Sequence, residues 1–447
     1  MEDFNSRTIP GPNSIVESAA VRVELLDPHT TRVASGEPEK GVRRRVGKGF
    51  IALFTMAYLG NFLMVTPPAM VWIPLKVNSL VPPTERAGAL GLILGVAAFV
   101  GGLLGPVFGK LSDRTTSRWG MRRPWILGGV AAALVGAVIM ALAPNLPVLF
   151  VGFLVFAMVN AESAALIGVL PDQVPIAQRG LVSGLLGMSL PLGMVGGTFL
   201  VQLVAGNFLL VFLLPTAVGS ALVVLFALTL KDRRLDPSEK AAWSVRELVS
   251  TFWVNPRRNP AYGWAWWSRC LIVLAYAFLT AYQAYYLIEK LGSAAADVPN
   301  QIFLGTLLLA GLSILSSVVG GKLSDVTKRR KIFVMASAVI YGIALIVAAS
   351  ATNFSGFLLA MTIAGIGFGA YSAVDLALIT DVLPSQSNAA KDMGVFNLAN
   401  TLPQSFAPAI APIILAVASG SYTTLFIVAG AFAAISALLI IPVRKVR

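Results

Sequence analysis

The chain has 447 residues, 56% of them hydrophobic and 12% charged, with a formal net charge of +13. Soluble domains carry about 25% charged residues, so this composition, with a mean hydropathy of +0.78, excludes a water-soluble fold and points to a membrane protein with many spans. The single cysteine, Cys270, excludes an intrachain disulfide, and the single histidine, His29, excludes a histidine-built zinc site or proton relay within the membrane.

Residues 1–47 read as a polar tail without the apolar core of a signal peptide, so the first span is expected to anchor the chain uncleaved. Twelve apolar stretches follow, at roughly 49–72, 86–109, 124–143, 147–170, 180–204, 208–230, 263–287, 301–321, 332–351, 355–379, 392–416 and 422–443. Each is close to the ~20 residues that a bilayer-crossing helix needs. The alternation of a membrane β-barrel is absent. The expected fold is an all-α membrane protein with twelve transmembrane helices. With the N-terminal tail taken as cytoplasmic, 30 Lys and Arg fall on that side, only Lys76, Arg86 and Lys290 fall on the other, and Arg269 lies inside a span. This asymmetry follows the positive-inside rule and places both termini in the cytoplasm. The basic excess is thereby read as topology, and no nucleic-acid partner is expected.

The pentapeptide GKLSD occurs at 109–113, where the second span ends, and again at 321–325, where the eighth ends. Further pairs recur at nearly the same offset: Glu162 and Asp375, Pro171 and Pro384, Arg179 and Lys391, Pro191 and Pro403. A constant shift across several spans indicates a duplicated six-helix unit, with its two copies related by an axis along the membrane normal. The expected organisation is a tail (1–47), a six-helix bundle (48–230), a cytoplasmic linker (231–262), a second bundle (263–443) and a short tail (444–447). The linker sequence WSVRELVSTFW suits either an amphipathic helix on the membrane surface or a solvated connection. A bundle of this kind closes without a partner, so a monomer is expected.

After the first GKLSD come Arg114, Arg118, Arg122 and Arg123; after the second come Lys328, Arg329 and Arg330. The carboxylates Asp113 and Asp325 can pair with these groups. The exact repetition favours a breakable latch between the halves, formed by Asp113, Arg114, Arg122, Arg123, Asp325, Arg329 and Arg330, over a solvated basic loop. The first copy, GKLSDRTTSRWGMRRPW, resembles the signature loop between spans 2 and 3 of the major facilitator superfamily. The resemblance extends from about residue 48 to 443 and implies two pseudo-symmetric six-helix bundles that transport a solute. Locally, SRWGMRRPWILGG (117–129), DMGVFNLANTLPQ (392–404) and VTP (65–67) resemble sucrose-type sugar–cation symporters, which implies sugar or glycoside uptake. The chain departs from those symporters by carrying Asn61 where they have an acid in span 1, and Glu162 where they have an arginine in span 4.

Ionisable groups inside spans are costly and mark function by default. Glu162 and Asp375 are the proton-coupling candidates, because burial disfavours the charged form of a carboxyl and an acid whose exposure alternates can carry a proton. Arg269 is read as structural. Asp172 can pair with Arg179, and Asp381 with Lys391. Asn397, Asn400, Thr401 and Gln404 share one face of span 11, and Tyr276, Thr280 and Gln283 share one face of span 7. With Asn61 and Tyr371, these amides and rings are the candidate lining of a substrate cavity. Asn61, Tyr276, Gln283, Tyr371, Asn397, Asn400 and Gln404 are the residues named for it. Span 5 is apolar at the matching positions, so the polar lining is expected mainly from the second half. Glycine-rich stripes on spans 2 and 8 are read as surfaces on which the halves slide. The expected function is proton-coupled secondary transport of a sugar or glycoside, without cofactor or metal. Efflux of a drug or metabolite is the alternative within transport, and a non-transporting membrane sensor is the alternative outside it. No nucleophile–base pair or phosphate loop is visible, so an enzyme is not expected.

Overall fold

The computed structural model describes residues 45–235, 259–382 and 389–443. The linker stretch 243–253, read as either a surface helix or a solvated connection, and residues 1–44 and 444–447 lie outside the described residues. Twelve helices among the described residues are long and apolar enough to cross a membrane. They are α1 (Lys48–Leu80), α2 (Pro83–Asp113), α3 (Arg123–Leu142), α4 (Leu146–Gln173), α5 (Ile176–Leu203), α6 (Phe208–Thr229), α7 (Pro260–Lys290) and α8 (Val298–Thr327). The last four are α9 (Arg330–Ser350), α10 (Phe354–Val382), α11 (Ala389–Val417) and α12 (Tyr422–Leu439). Most ends fall within a few residues of the apolar stretches, because Pro, Gly and Asn punctuate them. Asn145, Asn207 and Ser421 each cap a helix by accepting a backbone N–H, from Val148, Leu210 and Thr424. The first span is the exception: it runs on to Leu80 rather than stopping near 72. Pro67 and Pro68 bring no N–H to the ladder, and a π-turn over Pro68–Trp72 carries the helix past them.

Within the first half α1 packs on α5 and α6, α3 on α4 and α6, and α2 on α4. Within the second, α7 packs on α11 and α12, α9 on α10 and α12, and α8 on α10. Each pair recurs six helices later, so the halves are pseudo-symmetric. The pairs that join them, α2 with α11 and α5 with α8, exchange under the same operation.

Residue chemistry distinguishes the two ends of the bundle. The basic face carries the loops after α2, α4, α6 and α8. At the opposite face the two lysines left over by the charge count have structural duties. Lys76 Nζ donates to Ala141 O at 2.9 Å, and Lys290 Nζ donates to Ala349 O and, at 2.8 Å, to Thr423 Oγ1. Ala141 and Ala349 end α3 and α9, whose last carbonyls lack intrahelical partners, so each half uses one lysine to cap its third helix.

The halves meet near the opposite face and part toward the basic face. A Cβ on Gly91 of α2 would lie 2.4 Å from Pro408 O of α11, and one on Gly95 would lie 3.3 Å from Ala409 Cβ. Tyr285 Oη of α7 donates to Pro74 O of α1 at 3.1 Å, Tyr282 Oη approaches Ala87 O of α2 at 3.4 Å, and Arg86 lies 3.9 Å from Glu289. Further along the same α2 stripe, a Cβ on Gly102, Gly105 or Gly109 would meet nothing within 4 Å, and the same holds for Gly180, Gly184 and Gly187 of α5. The α8 stripe corrects the sequence reading. Gly305 and Gly320 face Phe357 and Ala370 of α10, and Ser313 and Ser316 both donate to Gly365 O of α10. Small residues permit close approach but do not select the neighbour, and here the neighbour lies in the same half.

Candidate functional site

A cavity of about 340 Å³ lies between the halves, walled by α1, α2 and α4 on one side and α7 and α11 on the other. The first half supplies Val65, Met70, Phe153 and Phe156, with Asn160 as its one amide. The second supplies Tyr276 and Thr280 from α7 and Thr401, Gln404 and Ser405 from α11. The polar lining therefore comes mostly from the second half. Tyr276 is stacked on Phe368 of α10, with ring centroids 4.3 Å apart, and its hydroxyl lies 3.7 Å from Met194 Sδ of α5. Gln404 Nε2 donates to Asn400 O at 3.1 Å. The structure thus places Tyr276 and Gln404 on the wall of one cavity.

Four other residues named for the lining lie elsewhere. Asn400 is half-buried on α11, outside the cavity wall. Asn61 is buried and turned toward α4, Tyr371 is buried on α10, and Gln283 is fully buried beyond the cavity's end. The side chain of Asn397 lies outside the described residues.

Among the described residues each half holds one fully buried acid, and their surroundings differ. Glu162 Oε2 accepts from Asn61 Nδ2 at 2.5 Å and lies 3.3 Å from Ser163 Oγ, which itself lies 2.6 Å from Asn61 Nδ2. Its other oxygen, Oε1, has no hydrogen-bond partner among the described residues. A Cβ on Gly129 of α3 would lie 2.6 Å from Glu162 Cβ, so this glycine is what lets α3 pack directly over the acid. Asp375 is held by a cation. Arg269 Nη1 lies 2.5 Å from Asp375 Oδ2, and Tyr371 Oη donates to Oδ1 at 3.2 Å. The Arg269 guanidinium also lies over the Phe396 ring, 4.8 Å from its centroid. One acid is thus bonded by neutral groups, the other by a guanidinium and a phenol.

On the basic face the contacts described for the duplicated loops lie within each half. Arg122 is buried and reaches Asp113 at 2.5 Å, Asp172 at 3.0 Å and Ser112 Oγ at 3.1 Å. A Cβ on Gly168 would lie 2.4 Å from Arg122 Cζ, so the guanidinium lies flat against α4 only because that residue is glycine. Asp172 therefore pairs with Arg122. Arg179 instead donates to the Val174 and Pro171 carbonyls, because α5 begins only a few residues after α4 ends. Asp232, following α6, accepts from the backbone N–H groups of both Arg122 and Arg123 at 2.7 and 2.8 Å, and Arg123 donates to Leu230 O. In the second half Arg330 lies 3.6 Å from Asp325 and donates to Ala377 O of α10. Arg114 is the C-cap of α2, and Arg329 the N-cap of α9. The latch expected between the halves is, among the described contacts of this conformation, a pair of clamps inside them.

Residues 85–425 match the family described as MFS/sugar transport protein. The chain belongs to that family. Members of that family are transporters and not enzymes, and with twelve helices long and apolar enough to cross a membrane this chain is an integral multi-pass membrane protein. Among solved structures, a bacterial homologue of the human lysosomal transporter Spinster, inward-facing and unoccupied, aligns over 89% of this chain and 98% of its own. Its TM-score is 0.69 at 17% identity. The nucleoside transporter NupG aligns over 89% of this chain and 100% of its own, with a TM-score of 0.69 at 12% identity. At such identities the likeness is one of fold. A class G tetracycline resistance protein from Vibrio anguillarum is 31% identical over 155 residues, which is 35% of this chain and 38% of that protein. An uncharacterized symporter from Synechocystis sp. is 46% identical over 51 residues, 10% of this chain and 9% of that protein. The chain thus matches well under two thirds of the length of either curated relative.

Three polar residues of this MFS/sugar transport protein escaped the sequence reading: Ser405 on α11, which lines the cavity, and two on α4. Asn160 lines the cavity, and Ser163, three residues on and so on the same face of α4, joins that face to Glu162. The signal was present in the run VNAESA, where one amide and one hydroxyl flank the acid at helical spacing.

Proposed function

We propose that this transporter couples proton movement to the uptake of a sugar or glycoside by alternating access, with the basic face and both termini in the cytoplasm of a plasma membrane. The observation that carries the reading is the cavity at the seam of the two halves, where Asn160, Tyr276, Thr280, Thr401 and Gln404 offer amide, hydroxyl and aromatic groups to one solute. Hydroxyl-rich rings are bonded by such groups at their edges and stacked by aromatic rings on their apolar faces. With the basic face inside, the halves are closed outward and parted inward. The opposite state requires that the α2–α11 and α1–α7 contacts separate and the stripe of Gly102, Gly105 and Gly109 closes.

Glu162 is assigned the proton. An uncompensated carboxylate in so dry a site would be costly, and Asn61 and Ser163 supply bonds but no positive charge. Ser163 can accept and donate at once, so it offers a proton step from the cavity-facing side of α4 to Glu162 Oε2. Asp375 is the fixed partner of Arg269, because its proton has been replaced by a guanidinium.

A second reading, proton-coupled efflux, is favoured by the partial match to a tetracycline resistance protein and by a largely apolar cavity of about 390 Å³ between α5 and α8, lined by Met188, Leu190, Met194, Leu309, Val318 and Phe368. Uptake by proteoliposomes under an imposed pH gradient separates the two. The proposal expects accumulation of a labelled glycoside and none of tetracycline. Movement of tetracycline with no glycoside transported would overturn it in favour of efflux.

A further inference from the structure

Gln283 is fully buried, and neither its Oε1 nor its Nε2 has a hydrogen-bond partner among the described residues. The side chains around it are treated differently by the fold. Tyr282 Oη donates to Pro408 O at 2.9 Å, Tyr285 Oη to Pro74 O at 3.1 Å, and Tyr286 Oη to Ala348 O at 2.7 Å. Every hydroxyl in the run YQAYY is satisfied, and only the amide between them is not. An unpaired buried amide works against the closed packing in which it sits, and a leucine or methionine would fill the same volume without that cost.

The position of Gln283 explains the orphaned amide. Tyr276 and Thr280 line the central cavity, and Gln283 continues the same face of α7, about 4.5 Å beyond Thr280. It is sealed off by contacts that cross between the halves, at Pro74 of α1 and Ala87 of α2. Separation of those contacts is the movement that opens the opposite face, and it uncovers the amide. We infer that Gln283 is a substrate-recognition residue of the outward-open state, meeting a hydroxyl-bearing solute at the opposite face and losing it when the seam closes. A carboxamide offers two donors and an acceptor, which suits adjacent sugar hydroxyls. The inference rests on the alternating-access reading above and adds to it a half-site that the inward-open cavity does not contain.

Cysteine labelling tests the inference and that reading separately. In a Cys270→Ala background, Gln283→Cys, Gly105→Cys and Ser79→Cys are each exposed to a charged methanethiosulfonate, with and without the pair Tyr282→Phe and Tyr285→Phe, which removes the hydroxyls that close the seam. The tyrosine pair is expected to speed labelling at Gln283→Cys several-fold and to slow it at Gly105→Cys. Methyl glucoside is expected to protect Gln283→Cys several-fold and to leave the exposed Ser79→Cys unaffected. If Gly105→Cys responds and Gln283→Cys does not, alternating access stands and the inference about Gln283 is overturned. Faster labelling at Gln283→Cys without protection by methyl glucoside overturns its role in recognition. If neither cysteine responds to the tyrosine pair, the alternating-access reading fails and takes the inference with it.

Discussion

A disulfide between Gly95→Cys and Ala409→Cys stops transport, and reduction restores it. The ideal Cβ of Gly95 on α2 lies 3.3 Å from Ala409 Cβ on α11, close to the ~3.8 Å between the β-carbons of a disulfide. The bond forms when the seam is closed, once α2 and α11 give by a few tenths of an ångström, in a background where Cys270→Ala removes the one native thiol. It then ties the two halves together where they must part. The expected result in proteoliposomes is uptake at background after oxidation and at the level of the reduced protein after dithiothreitol, with Gly95→Cys alone indifferent to either treatment. Undiminished uptake by the oxidised double variant would mean that α2 and α11 stay in contact throughout the cycle.

Replacing Arg269 by leucine should unfold the second half at a much lower temperature. Asp375 is fully buried, with the Arg269 guanidinium 2.5 Å away as its positively charged partner. Removal of one member of a buried pair leaves the other charge stranded, at a cost of about 3–5 kcal/mol. Arg269→Leu combined with Asp375→Asn removes both charges, and the amide can still accept from Tyr371. The expected order of melting temperatures is wild type and double variant close together, with Arg269→Leu well below both. A double variant as unstable as the single one would show that Arg269 acts through its packing over Phe396 instead of through Asp375.

The sequence made the frame of the molecule legible for a physical reason. Lipid forces each span to be long, apolar and helical, so composition alone locates twelve of them, and the GKLSD repeat relates their halves. What it could not convey was direction. Spacing placed Tyr276, Thr280 and Gln283 on one face, but where the cavity stops along that face depends on how far α7 packs against α1 and α2. The small residues of α8 announced a close approach without naming α10 as the neighbour. Asp172 lies close in sequence to Arg179 yet pairs with Arg122, 50 residues away, because the fourth helix passes the start of the third. Lys76 and Lys290 counted only as exceptions to a charge rule until the carbonyl ends of α3 and α9 were seen beside them. The basic clusters had the right partners in sequence, and only the packing shows that those partners close within each half.

Internal pH in proteoliposomes, followed while glycoside is added to the wild type and to Glu162→Gln, tests proton-coupled transport most directly. Glutamine at 162 can still accept from Asn61 but cannot take up or release a proton. The account predicts acidification of the wild-type interior on glycoside entry, and no pH change with Glu162→Gln, which still exchanges labelled for unlabelled glycoside. Glycoside entry without proton movement in the wild type, or unchanged proton movement in Glu162→Gln, would contradict it.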